Sequence, residues 1–248
     1  MTTYLFGIAE GKFDVKAIYS FIKEYWSDWF PDMPKYQNYN RRINLLSSSF
    51  QALYGLLISE QAIDKGIHSH LIDSMPIIVA SQKRSNHAKA ARGVCDKGYC
   101  SSKGIYYYGV KLHVLGQKQY QALPLVCMAN VTPASDNDIT VAKEWLCNIQ
   151  DMDIYADKMY ASEAWSFELA QRNVNIFTPV KLKKGQVSLD SADKLFSSAI
   201  SRARQAIESF FNWIHQKTHI QSASKVRSVS GLIAFIFARL AALVCFYS

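Results

Sequence analysis

The hydrophobic pattern of this chain changes from helical to strand-like spacing near Ser69, and that change limits the folds open to it. Before it, apolar residues recur at helical intervals from Asp14, a predicted N-cap, to Trp29, and again from about residue 41 to residue 58. After it, the pattern predicts three strands, a helix, a strand, a helix, a strand and a helix. Three antiparallel strands followed by βα units indicate an α/β fold with a mixed sheet.

Five strands are expected, at residues 70–79, 105–115, 121–130, 152–156 and 174–177. Pro76 lies in the first strand and indicates an edge position or a bulge. The second and third strands are close enough in sequence to form a hairpin, and the polar, basic residues 81–104 predict a long loop. A mixed five-stranded sheet in this order, with helices on both faces, is the layout of the RNase H-like fold.

The chain is expected to divide into two parts. Residues 1–66 predict a small helical N-terminal subdomain, and residues 67–248 hold the α/β domain. The apolar residues 229–247 are long enough to span a bilayer, but Arg239 lies near their middle, where a charge is costly in hydrocarbon. We therefore expect a helix packed into the domain and no membrane partner.

The basic charge of the chain is concentrated in one stretch. The whole chain has 28 Lys/Arg against 20 Asp/Glu, and residues 61–125 alone hold nine basic against three acidic residues. A solvated surface and a polyanion-binding surface both account for this excess. The residues considered for phosphate contact are Lys83, Arg84, Lys89, Arg92, Lys97 and Lys103, with a second cluster at Lys181, Lys183 and Lys184.

The cysteines and the N-terminus bear on the cellular compartment. The chain has five cysteines, an odd number, and their spacing shows no disulfide framework. The first residues lack the basic stretch, apolar stretch and cleavage site of a secretory signal. These features predict a reducing, cytoplasmic compartment.

Three carboxylates fall where the predicted fold converges. Asp73 interrupts the apolar first strand, where an unpaired buried charge is costly. Asp157 follows the fourth strand, and the carboxyl ends of strands in α/β sheets are a usual ligand-binding edge. Glu208 lies among apolar residues of a long helix predicted at about residues 191–215. Taken singly, they are also explained as a turn residue, a helix cap and a solvated helix position.

Brought to one edge of the sheet, these carboxylates would repel one another, and some would stay protonated without a cation. Divalent ions that prefer oxygen ligands, such as Mg²⁺ or Mn²⁺, resolve that conflict. The sequence therefore predicts a divalent metal site formed by Asp73, Asp157 and Glu208.

Three short segments carry a family resemblance. Ile72-Asp-Ser-Met-Pro-Ile77, Ala156-Asp-Lys-Met-Tyr160 and Arg204-Gln-Ala-Ile-Glu208 resemble the three acidic motifs of DDE transposases from bacterial insertion sequences. The segment from Lys97 to His113, with Tyr-Gly-Val-Lys-Leu-His at its end, is similar to the second strand of that family. Insertion sequence family 982 is the closest branch, and the resemblance covers roughly residues 35–245.

The resemblance implies a metal-dependent enzyme that cuts and rejoins DNA. Asp73 would bind both of two Mg²⁺ ions (Mn²⁺ can substitute), Asp157 one ion and Glu208 the other. The implied partners are the terminal repeats of the element and its target DNA, handled by a homodimer at the bacterial nucleoid. The rival interpretations are a nuclease of the same fold that does not transpose, and a DNA-binding derivative without catalysis.

Further residues are considered for DNA contact. Lys158 follows Asp157 directly, and Lys111 and His113 share one face of the second strand. Arg204 lies one helical turn before Glu208, so that either a phosphate contact or an ion pair with Glu208 is expected. The N-terminal part looks short for this family, which indicates a shortened DNA-binding region.

Overall fold

The computed structural model describes residues 1–61, 63–64, 66–101, 103–182 and 184–247. The helices are α1 Thr2–Ala9, α2 Val15–Tyr25, α3 Tyr36–Leu45, α4 Ser47–Ser59, α5 Asp138–Trp145, α6 Glu163–Ala170, α7 Ser191–Thr218 and α8 Val229–Tyr247. The strands are β1 Ser69–Ser81, β2 Asp96–Cys100, β3 Ile105–Gln117, β4 Leu125–Pro133, β5 Met152–Tyr155 and β6 Val174–Phe177. The protein is thus a mixed α/β fold.

The N-terminal helices agree with the predicted pattern only in part. Asp14 caps α2 as expected, accepting a hydrogen bond from the Ala17 backbone N–H at 2.9 Å, but the helix ends at Tyr25. The predicted second helix is two helices, α3 and α4, which break at Leu46. The three serines that follow Leu46 compete for backbone hydrogen bonds, which explains the break. Helix α1 was not predicted.

Helix α8 lies among the N-terminal helices and α7. By length and composition it is the one helix in the described part of the chain that can cross a membrane, and 61% of its Val229–Phe246 window is buried inside the protein. Arg239, the charge in its middle, is fully buried. Its guanidinium donates to the backbone carbonyls of Thr218, Phe13 and Phe235 and also contacts the Tyr4 hydroxyl.

The sheet has six strands rather than the five predicted. Its path runs β2-β3-β1-β5-β6, and β4 also pairs with β3. Strand β3 is antiparallel to β1, β2 and β4, whereas β5 pairs in parallel with β1 and with β6. The expected order of three antiparallel strands followed by βα units is therefore present, with one strand added.

The additional strand, β2, lies within residues 81–104, for which we predicted a loop. It pairs with the first five residues of β3, and β4 pairs with the rest of the same edge. Because β2 is short, polar and contains Gly98, its sequence carries little strand signal; it is the free edge of β3 that supports it. The prediction for Pro76 agrees with the structure, since β5 pairs only with Ser69–Leu71 of β1.

Alternate residues of β1 face two apolar cores. Leu71, Met75 and Ile77 belong to a large core with α7, α8 and the N-terminal helices, and Ile72 belongs to a smaller one with α5 and α6. Side chains two residues apart on a strand share a face. Asp73 therefore lies in the row of Leu71 and Met75, on the face that α7 covers.

Candidate active site

The parallel pairing of β1 and β5 places two of the three predicted carboxylates side by side. Leu71 of β1 pairs in register with Tyr155 of β5. Asp73 lies two residues after Leu71, and Asp157 lies two residues after Tyr155. Helix α7 packs across both strands. It carries Arg204 and Glu208 four residues apart, hence on one helical face.

All three carboxylates lie within 4 Å of the Arg204 guanidinium. Asp73 Oδ2 lies 3.0 Å from Arg204 Nη2, and Glu208 Oε1 lies 3.7 Å from the same nitrogen. Asp157 Oδ1 lies 3.7 Å from Nη1. The structure thus brings Asp73, Asp157 and Glu208, here called the acidic cluster, together around one cation. Of the two roles considered for Arg204, the geometry agrees with the ion pair and extends it to two further carboxylates.

The three carboxylates of the acidic cluster differ in how exposed their side chains are. The side-chain exposure is 20% for Asp73, 36% for Asp157 and 55% for Glu208, against 10% for Arg204. Asp157 also accepts a hydrogen bond from the Lys158 backbone N–H and caps the short 3-10 turn Lys158–Tyr160. It is therefore a cap and a member of the cluster at once.

Burial dominates the electrostatics of Asp73. It raises the pKa of this carboxyl from 3.8 to about 6. The positive charge of Arg204 and hydrogen bonds from Ser74 N–H and Arg204 act in the opposite direction, and the neighbouring Asp157 charge raises the pKa further. The charge of one guanidinium is therefore too little to offset the burial of the Asp73 carboxylate.

The cluster suits a divalent ion in its chemistry but not in its present spacing. Three carboxylates are the ligands that hard divalent cations prefer, and Asp73 lacks full charge compensation. Among the residues that the structure describes, however, no three His, Cys, Asp or Glu side chains are grouped to hold an ion. The Arg204 guanidinium lies between the carboxylates instead.

Tyr160 is a neighbour of the cluster that sequence reasoning missed. Its ring is 1% exposed, and within the described part of the chain its hydroxyl has no hydrogen-bond partner. Burial raises its pKa well above the ordinary value, and the charges of Asp138, Asp73 and Asp157 add to that effect. The position of Tyr160 directly after the second acidic motif was the signal available in the sequence.

Most of the predicted DNA contacts lie on the surface. The exposed cations of the basic segment, defined as residues 83–103, are Lys83, Arg84, Lys89, Arg92, Lys97 and Lys103. Lys158 and Lys184 are exposed as well, while Lys183 lies outside the described residues. Lys97 donates a hydrogen bond to Asn86 Oδ1, and Lys103 donates one to Gln221 Oε1.

Three other predicted contacts are occupied or buried. His113 is 1% exposed, with its Nε2 at 2.9 Å from the Thr132 hydroxyl. Lys111 forms an ion pair with Asp138 at 2.9 Å. Arg204 is held in the acidic cluster. Lys111 and His113 face away from α7 because they alternate with the core residues of β3 on that side.

Comparison with known proteins adds a family. No curated protein and no solved structure matches the chain. Residues 62–229 match the family model described as a transposase DDE domain. This stretch is well over half of the chain, and it holds the acidic cluster, Arg204 and the basic segment. The chain therefore belongs to the transposase DDE domain family.

Proposed function

We propose that this protein is a DDE transposase that cleaves DNA and joins the freed strand to a target, with an RNase H-like catalytic domain over residues 67–248. One observation carries the proposal: three carboxylates from β1, the end of β5 and α7 converge on one guanidinium. Such a concentration of negative charge is unfavourable unless it binds a cation. Because the chain belongs to the transposase DDE domain family, we infer that this cation is a divalent metal ion used in catalysis.

The acidic cluster is the proposed metal site. Asp73 would hold two divalent ions, Mg²⁺ or in its place Mn²⁺, with Asp157 on one and Glu208 on the other. When bound, a pair of such ions stabilises the attacking and leaving oxygens of a displacement at phosphorus. The role of Asp73 as the shared ligand is the one that the family resemblance implies.

The proposed reaction has two displacements. Water attacks the phosphodiester at the end of the element, which frees a 3′-hydroxyl and leaves a 5′-phosphate on the flanking strand. This 3′-hydroxyl then attacks a phosphodiester of the target DNA, forming a new phosphorus–oxygen bond and releasing the 3′-hydroxyl of the target strand. Neither displacement needs a covalent enzyme intermediate. The exposed lysines and arginines of the basic segment would hold the DNA backbone through phosphate contacts, which give affinity without reading sequence.

Other predictions belong to the same proposal. They are a homodimer that pairs two element ends, a cytoplasmic, nucleoid-associated location in a bacterium, membership of insertion sequence family 982, and a helical N-terminal subdomain over residues 1–66. A nuclease of the same fold is the second candidate, because the acidic cluster alone fits both activities.

The test is Mg²⁺-dependent nicking of plasmid DNA, together with joining of a labelled oligonucleotide that carries the element end and a free 3′-hydroxyl. Glu208→Gln keeps the size of the side chain but removes its charge. We expect it to lower both activities by orders of magnitude with unchanged melting temperature, because a neutral amide offsets less of the metal charge.

The matched control is Glu168→Gln. Glu168, on α6, is 69% exposed and lies 4.0 Å from Arg172, four residues later and just beyond the end of that helix, so it provides a Glu–Arg pair away from the site. It should leave both activities intact. Nicking without joining in the unaltered protein would favour the nuclease, and full activity of Glu208→Gln would remove Glu208 from the site.

A further inference from the structure

The guanidinium of Arg204 occupies the space between the three carboxylates of the acidic cluster. It lies 3.0–3.7 Å from an oxygen of each of them. A divalent ion held by the same three side chains needs that same space, since metal–oxygen distances are shorter than these contacts. The guanidinium and the ion therefore exclude each other on steric grounds and repel each other on electrostatic grounds.

Arg204 is held by charge more than by directed hydrogen bonds. Of its three carboxylate contacts, only that with Asp73 is a hydrogen bond. The contacts with Asp157 and Glu208, at 3.7 Å, lie beyond ordinary hydrogen-bond length. Its Nε is buried and has no partner among the described residues. A planar guanidinium forms much stronger pairs when both of its edges are bonded, so this seat satisfies the side chain incompletely.

The face of helix α7 that carries Arg204 is open to solvent on both sides of this residue. Ser201 and Glu208, about one turn away on either side, are both exposed. A change of the Arg204 rotamer toward either of these residues would bring the guanidinium to solvent while the helix stays in place. Departure would also satisfy the unpartnered Nε with water.

We propose that Arg204 is the built-in counter-ion of the metal-free site and that divalent ions displace it. Arg204 is then a positioning residue: it holds the mutually repelling carboxylates in place until metal arrives, and it lowers the affinity for metal by competing with it. This inference rests on the proposed function, because it takes the acidic cluster to be the metal site.

The first test uses the unaltered protein. Phenylglyoxal labels exposed arginines, and mass spectrometry locates the label. Arg204, 9% exposed without metal, should label several-fold faster in saturating Mg²⁺. Arg202, exposed on the same helix, should label equally with and without Mg²⁺, and the fully buried Arg239 should resist labelling in both. Unchanged or slower labelling of Arg204 in Mg²⁺ would overturn the proposal.

The second test measures Mn²⁺ affinity by calorimetry. Arg204→Gln removes the competing charge and should bind Mn²⁺ at least about tenfold more tightly, given the size of a charge–charge interaction at this range. Arg204→Lys keeps the charge and should stay within a few-fold of the unaltered protein. Arg202→Gln, the control, removes a charge from the same helix outside the cluster and should change little. Equal affinity in Arg204→Gln and Arg202→Gln would contradict the competition.

The outcomes separate this inference from the proposed function. If Asp73→Asn abolishes Mn²⁺ binding, while Arg204→Gln leaves the Mn²⁺ affinity unchanged and Mg²⁺ leaves the labelling of Arg204 in the unaltered protein unchanged, the metal site stands and the displacement of Arg204 is wrong. If the unaltered protein and Arg204→Gln both fail to bind Mn²⁺, both proposals fall.

Discussion

Two arginines are buried in the part of the chain that the structure describes, and their surroundings are opposite. Arg239, in the middle of α8, is 0% exposed and meets three backbone carbonyls and a tyrosine hydroxyl. Arg204, in α7, is 9% exposed and meets three carboxylates. The first is surrounded by neutral acceptors at hydrogen-bond distance. The second is surrounded by an excess of negative charge and leaves its Nε unpartnered.

The difference teaches how to tell a structural charge from a charge at a site. Neutral acceptors solvate a buried guanidinium and tie together the segments that supply them, here the turn before α2 and the end of α7. Three carboxylates carry more negative charge than one guanidinium neutralises. The excess destabilises the folded state through mutual repulsion and desolvation. Such a cluster is explained by a ligand that the folded protein binds.

The sharpest form of this comparison is a pair of substitutions to Met, which keeps the length of the arginine stem. Arg239→Met leaves the buried carbonyls of Phe13 and Thr218 without this donor and should destabilise the protein by about 3 kcal/mol or more. Arg204→Met leaves three carboxylates without their counter-ion, so its cost should be largest at neutral pH and should shrink as the carboxylates take up protons. Denaturant unfolding at neutral and at mildly acidic pH measures both variants. A loss for Arg204→Met that is as independent of pH as the loss for Arg239→Met would break the comparison.

The pH dependence of stability probes the cost of the acidic cluster. Since the folded-state pKa of Asp73 is raised from 3.8 to about 6, the folded protein keeps a proton that the unfolded chain has released. Stability therefore falls as pH rises from about 4 to about 6, and it stays lower above that range. Asp73→Asn has no proton to lose and should be more stable than the unaltered protein by up to about 3 kcal/mol at pH 7.5.

The control for Asp73→Asn is a carboxylate with the opposite shift. Hydrogen bonding to the Ala17 N–H, with a further contribution from Lys225, lowers the pKa of Asp14. Asp14→Ala should therefore destabilise the protein at pH 7, and the loss should shrink as pH falls below the ordinary pKa of an aspartate. Thermal unfolding of both variants across pH 3–8 checks the two signs. A pH-independent effect of Asp73→Asn would show that burying the ionised Asp73 carboxylate does not destabilise the protein.

The exposed cations provide a third environment, with the smallest expected effect on stability. Neutralising Lys89, Arg92 and Lys97 to Gln together should leave the melting temperature unchanged, because each is exposed. If each meets a phosphate, the slope of log affinity for duplex DNA against log salt should fall by roughly 3. Fluorescence anisotropy at several salt concentrations measures the slope. An unchanged slope and affinity would make this part of the basic segment a solvated surface.

The fold was predictable where the local sequence decides it. Apolar periodicity located the long helix α7 and the order of the sheet, and Arg239 indicated that α8 packs inside the protein. Strand β2 could not be predicted because its stability comes from the free edge of β3, a partner that is not local in sequence. Helix α1 is short and apolar nearly throughout, so its periodicity is weak.

The candidate site was predictable as a set of residue types but not as an arrangement. An aspartate inside an apolar strand and another at a strand end pointed to a shared edge. The register that pairs Leu71 with Tyr155, and so aligns those aspartates, is a tertiary fact. The same holds for Arg204, for which the sequence suggested Glu208 as an ion-pair partner, whereas the folded chain adds Asp73 and Asp157.

The central claim, that the acidic cluster is a divalent metal site, is tested most directly by counting bound ions. Mn²⁺ titration of the protein, followed by electron paramagnetic resonance of the free ion, reports the number bound per chain. The account predicts tight binding to the unaltered protein that Asp73→Asn abolishes and Glu168→Gln preserves. Equal binding by all three proteins, or no binding by the unaltered one, would contradict it.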